Sequence, residues 1–126
     1  MSNWFKKKSA VPSGPDFSDV DSQEKAEARV QSGELAKLLL LSVEFGGTED
    51  PRNIVYVPRA FITIKNDIDR NIIKPLVEAG KVSEYQATPE YEGKSFVPIA
   101  IKIVARNPET YVNYINIWGK ALAGAS

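Results

Sequence analysis

From residue 21 onward, polar and apolar positions alternate with two different periods, and the change between them divides the chain into a helical and a strand-rich part. The clearest helical stripe is Phe61, Ile64, Ile68, Ile72 and Leu76, spaced by three and four, with Lys65, Asp67, Asp69, Arg70 and Lys74 between them. This spacing predicts an amphipathic helix whose isoleucines face the core and whose charges face water. Pro75 lacks an N–H and crowds the carbonyl of Asn71, which predicts a kink or break there, with Gly80 closing the tail. From Val82 the period becomes two. Runs over 82–91, 96–106 and 111–118 are separated by Glu92-Gly93-Lys94 and Asn107-Pro108-Glu109, both turn chemistry, and connections this short predict antiparallel hairpins. Val97, Ile99, Ile101 and Ile103 then share one face with Ile115 and Ile117, and Lys102, Val104, Tyr114 and Trp118 fall on the other.

The first half is less regular. Asp21 or Ser22 can cap a helix that Gly33 stops, and with only Ala26, Ala28 and Val30 apolar it should lie on the surface. Leu35 to Phe45 is rich in helix-forming leucine, yet Leu39, Leu41, Val43 and Phe45 alternate with Ser42 and Glu44 and lead into Gly46-Gly47. A strand is the better reading. Ile54 to Val57 reads as a short strand stopped by Pro58. The predicted fold is therefore α+β and two-layered: an amphipathic helix packed on a mainly antiparallel sheet that ends in a three-strand meander. Residues 1–20, dense in Pro, Ser, Gly and Asp and without an apolar period, read as a flexible tail ahead of one domain over 21–126.

Composition narrows the chemistry more than any motif does. The 126 residues include no histidine and no cysteine. That excludes Ser-His-Asp and Cys-His nucleophile systems, ordinary zinc sites and disulfides, and leaves catalysis to carboxylates, lysine, tyrosine or hydroxyls. Net charge is zero, and the ten bases against seven acids after residue 50 are scattered, so no footprint for a phosphate backbone is present and nucleic acid is not an expected partner. The longest uncharged apolar run, Leu38 to Val43, is too short for a membrane span, and a cytoplasmic location is expected.

Each motif has a plainer reading. Gly93-Lys94-Ser95 mimics the end of a phosphate-binding loop, but the required earlier glycine is Thr88 and a strand follows, so it reads as a hairpin turn. Ser22 and Lys25 have the spacing of an acyl-transfer pair at a position where serine caps a helix. Asp67, Asp69, Asn71 and Glu78 reproduce the acidic spacing of a calcium loop, but Ile72 stands where that loop needs glycine, and the residues fall on a helical stripe. Trp4-Phe5-Lys6-Lys7-Lys8 has the amphipathic character of a membrane-surface contact, although three lysines without a second signal anchor weakly. Glu84, Glu90 and Glu92 would be the carboxylates of a catalytic cleft; Glu84 and Glu90 share a strand face.

No motif requires a cofactor, a metal or a catalytic residue, and none is expected. The leading expectation is a non-catalytic protein–protein interaction module that binds another protein through an exposed sheet face or edge bearing Tyr85, Tyr111, Tyr114 and Trp118, aromatic side chains that desolvate much area with few rotors to freeze. Two rivals stand beside it: an enzyme or small-ligand-binding protein with a carboxylate-lined pocket, and a peripheral membrane protein working through residues 4–8.

Overall fold

A computed structural model of the chain describes residues 14–123. In order, the elements are helix α1 (Gln23–Gln31), strand β1 (Leu35–Leu39), two 3-10 turns (Val43–Phe45 and Pro51–Asn53), β2 (Ile54–Pro58), α2 (Ala60–Ile68), a π turn (Asp69–Ile73), α3 (Lys74–Glu78), the strands β3 (Glu84–Glu90), β4 (Ala100–Arg106) and β5 (Thr110–Asn116), and a last turn α4 (Lys120–Ala123). The α+β class and the terminal meander are as predicted, with the strands divided between two antiparallel sheets, β1-β2 and β3-β4-β5. None of the described helices is long and apolar enough to cross a membrane.

Local chemistry explains most boundaries. Ser22 caps α1, its hydroxyl accepting from the Lys25 N–H at 3.1 Å, and α1 buries only Ala26. β1 is a strand, as read, but it ends at Leu39; the buried residues are Leu35 and Leu38, and the expected alternation through Val43 and Phe45 falls in a 3-10 turn. The long β1–β2 connection is tied by Asn53, whose side chain accepts from the Leu41 N–H at 2.8 Å and donates to the carbonyls of Leu41 and Thr48. Gly47 lies so close to this connection that a Cβ there would stand 1.7 Å from the Leu41 oxygen.

In the meander, Ile101 pairs with Pro89 and Ile115, and Ile103 with Ala87 and Asn113. Period two then gives an inner face of Tyr85, Ala87, Ile101, Ile103, Ala105, Tyr111 and Ile115 and an outer face holding Lys102, Val104, Val112 and Tyr114. Residues 91–99 form a long connection rather than a tight turn, and Val97 and Ile99 are buried ahead of β4 rather than within it. β5 ends at Asn116, so Trp118 leaves the outer face altogether. It is 4% exposed and its indole donates to the Val97 carbonyl at 2.9 Å.

Two expectations are corrected. The helix over 60–78 is rotated from the expected stripe: Phe61, Ile68 and Leu76 pack on the core as expected, but Ile64 and Ile72 are exposed, and the fully buried positions are Lys65, Asp69 and Ile73. These lie four apart, and Lys65 and Asp69 pair with each other, which offsets part of the desolvation cost of burying them. Pro75 produces no break. The turn ahead of it widens, the Lys74 N–H reaching back five residues to the Asp69 carbonyl, and the helix continues. The second correction concerns the tail. Phe17 and Val20 are core residues: Phe17 meets Trp118 edge to face at 6.0 Å, and the Val20 carbonyl accepts from the Phe96 N–H at 2.7 Å. The packed domain thus begins before residue 21, and residues 4–8 lie outside the described residues.

Candidate functional site

A groove of about 600 Å³ opens between α1, the β1-β2 sheet and the 91–99 connection. Its floor is polar. Lys37 and Tyr56 are direct cross-strand partners, which brings both side chains to the same side of the β1-β2 sheet. Over them stands Glu27, one turn after Gln23 on the face of α1 that lines the groove. The Tyr56 hydroxyl donates to Glu27 Oε2 at 2.6 Å, and Lys37 Nζ lies 3.2 Å from the same oxygen. The Tyr56 hydrogen bond, then Lys37, hold the Glu27 carboxyl below the ordinary range; burial, then the hydrogen bond to Glu27, hold the Tyr56 hydroxyl above its own. At neutral pH the floor therefore presents Glu27 as a carboxylate and Tyr56 as a neutral hydroxyl donating to it.

The wall is aromatic. Tyr91 and Phe96 line the groove and are 49% and 39% exposed, although side chains of this size are normally covered. The backbone around Phe96 is held from behind: Ser95 donates through its hydroxyl to the Phe17 carbonyl at 2.8 Å and accepts from the Val97 N–H at 3.0 Å, while the Phe96 N–H donates to the Val20 carbonyl. Residues 17 and 20, read as tail, therefore fix the Phe96 side of the aromatic wall. Ser95 is consumed by these bonds, and Gly93-Lys94 is the turn at the groove's rim.

The four aromatic residues expected to form one surface are separated by the fold. Tyr85 and Tyr111 lie on the inner face of the meander, the Tyr85 hydroxyl donating to Asp69 Oδ1 at 2.8 Å and the Tyr111 hydroxyl accepting from Asn113 Nδ2 at 2.9 Å. Trp118 is core. Only Tyr114 is outward and exposed, beneath Lys102 Nζ at 5.8 Å. Nor do the carboxylates converge: Glu84 pairs with Arg106 at 3.6 Å, and Glu90, six residues further along β3, is about 20 Å away by strand rise. The Glu27, Tyr56 and Lys37 cluster escapes sequence reading because its members come from three segments joined only by pairing register. Tyr91 and Phe96 carry a local signal, large rings on both sides of a polar Glu-Gly-Lys-Ser turn.

Comparison of the chain with protein-family models, with curated proteins and with solved structures gives no match.

Proposed function

We propose that this protein is a non-catalytic protein-binding module whose groove takes a segment of another protein, an apolar side chain of that segment seated against Tyr91 and Phe96. The exposed aromatic wall carries this reading: two large, exposed rings, Phe96 with its backbone anchored from behind, desolvate at little entropic cost when covered. The charges specify the rest of the segment. Lys37 and Lys94 against Glu27 leave the groove one positive charge in excess, which suits an acidic side chain beside the apolar anchor. The protonation directions of Glu27 and Tyr56 favour binding over proton-transfer chemistry.

A photo-crosslinking residue at position 91 tests this in the native host, with the same residue at position 109 as a distant control. One protein crosslinked from position 91 and not from 109, and released from full-length bait by Phe96→Ala or Tyr91→Ala, is the expected result. A partner captured equally by wild type and by both groove variants, but lost with Tyr114→Ala, would transfer the function to the outer sheet face.

A further inference from the structure

The two outer strands of the meander are built in opposite ways. β3, Glu84-Tyr85-Gln86-Ala87-Thr88-Pro89-Glu90, carries a charge at each end and a proline, the usual devices that stop an edge from pairing. β5, Thr110-Tyr111-Val112-Asn113-Tyr114-Ile115-Asn116, carries none: seven residues without charge, proline or glycine, and rich in β-branched and aromatic side chains. Its ladder runs to β4 alone, and among the described residues no other backbone group bonds to residues 110–116. On its outer face Val112 and Tyr114 are 48% and 47% exposed.

The strand is also complementary to itself. Antiparallel pairing of two copies about Asn113 sets Val112 opposite Tyr114 of the second copy on the outer face, twice by symmetry. On the inner face it sets Tyr111 opposite Ile115, and no like charges meet anywhere along the register. We propose that two copies of this chain join β5 to β5 about a two-fold axis at Asn113, making one six-stranded sheet with Val104, Val112 and Tyr114 in an apolar stripe across the seam. An edge contact of seven residues covers less than the roughly 1,200 Å² of a stable complex, so the pair dissociates on dilution. This inference uses none of the groove residues and stands apart from the binding reading.

Sedimentation velocity of the full chain over a wide concentration range reads the equilibrium directly, with circular dichroism confirming that each variant is folded. Wild type is expected to pass from monomer to dimer. Val112→Lys with Tyr114→Lys places lysine opposite lysine at both outer pairs and should raise the dissociation constant about tenfold or more. Val112→Lys with Tyr114→Glu places lysine opposite glutamate in this register alone, and should restore a dimer that weakens with added salt. A monomer at all concentrations overturns the proposal, as does a dimer indifferent to the double-lysine change; failure of the lysine–glutamate chain to recover, where the double-lysine chain has lost the dimer, overturns the register.

Discussion

Lys65 Nζ and Asp69 Oδ2 form a buried ion pair at 2.5 Å, with both residues at most 2% exposed, one turn apart on a helix face that would ordinarily be apolar. The Tyr85 hydroxyl occupies the other Asp69 oxygen and its ring lies 5.5 Å from the ammonium, so a charged helix face is neutralised by its own neighbour and by the sheet beneath it. Such a pair gives direction to packing more than stability. Removing one member leaves an uncompensated charge in the core, whereas replacing the whole group with apolar side chains removes the desolvation cost as well.

Lys65→Met or Asp69→Leu alone should therefore lose about 3–5 kcal/mol in urea denaturation, while Lys65→Met, Asp69→Leu and Tyr85→Phe together should be near neutral or more stable. Single and triple variants of equal stability would show that the ion pair is not the unit that matters.

Alkaline pH should act through Tyr85. Burial, then the Asp69 charge, push its hydroxyl well above the ordinary 10.0, so beyond that pH the unfolded chain releases a proton that the folded chain keeps. The folded state then binds more protons and its stability falls as pH rises. Burial lowers Lys65 from 10.5, an effect of opposite sign that wild type and Tyr85→Phe share and that ends only once the unfolded lysine has lost its proton, above 10.5. Unfolding free energies above pH 10.5 should thus fall less steeply in Tyr85→Phe than in wild type.

The helix phase gives a third expectation. Ile73→Ala should cost about 2–5 kcal/mol, since Ile73 is wholly buried, and Ile72→Ala under about 1 kcal/mol, since Ile72 faces outward. Denaturation midpoints of the two variants check the face directly. Equal losses would return the inward face to Ile72.

What could be read from the chain was its local periodicity. The meander, the Ser22 cap, the strand character of Leu35 to Leu39 and the outward placement of Lys102, Val104 and Tyr114 all follow from patterns within a few residues. The helix phase did not follow, because Phe61 to Leu76 carries two apolar stripes and the deciding residues, Lys65 and Asp69, look like solvent until Tyr85 is placed against them. The groove was equally hidden. Its floor depends on the pairing of Lys37 with Tyr56, and its wall on bonds from Phe17 and Val20 to a connection more than seventy residues away.

Those last bonds carry the folded unit at least as far back as Phe17. Phe17 is buried against Trp118, its carbonyl satisfies the buried Ser95 hydroxyl, and Val20 holds Phe96. Phe17→Ala should lose about 3–5 kcal/mol by lost burial and the cavity left behind. Deleting residues 14–20 along with everything before them should cost at least as much, and should also release the 91–99 connection that carries Tyr91 and Phe96. Amide exchange checks the second point: the Phe96 and Val97 N–H groups, bonded to the Val20 carbonyl and the Ser95 hydroxyl, should exchange slowly in wild type and markedly faster in Phe17→Ala. Unchanged exchange at both amides, together with an unchanged melting temperature, would mean that the domain starts at residue 21 after all and that the groove's aromatic wall is held by something other than this segment.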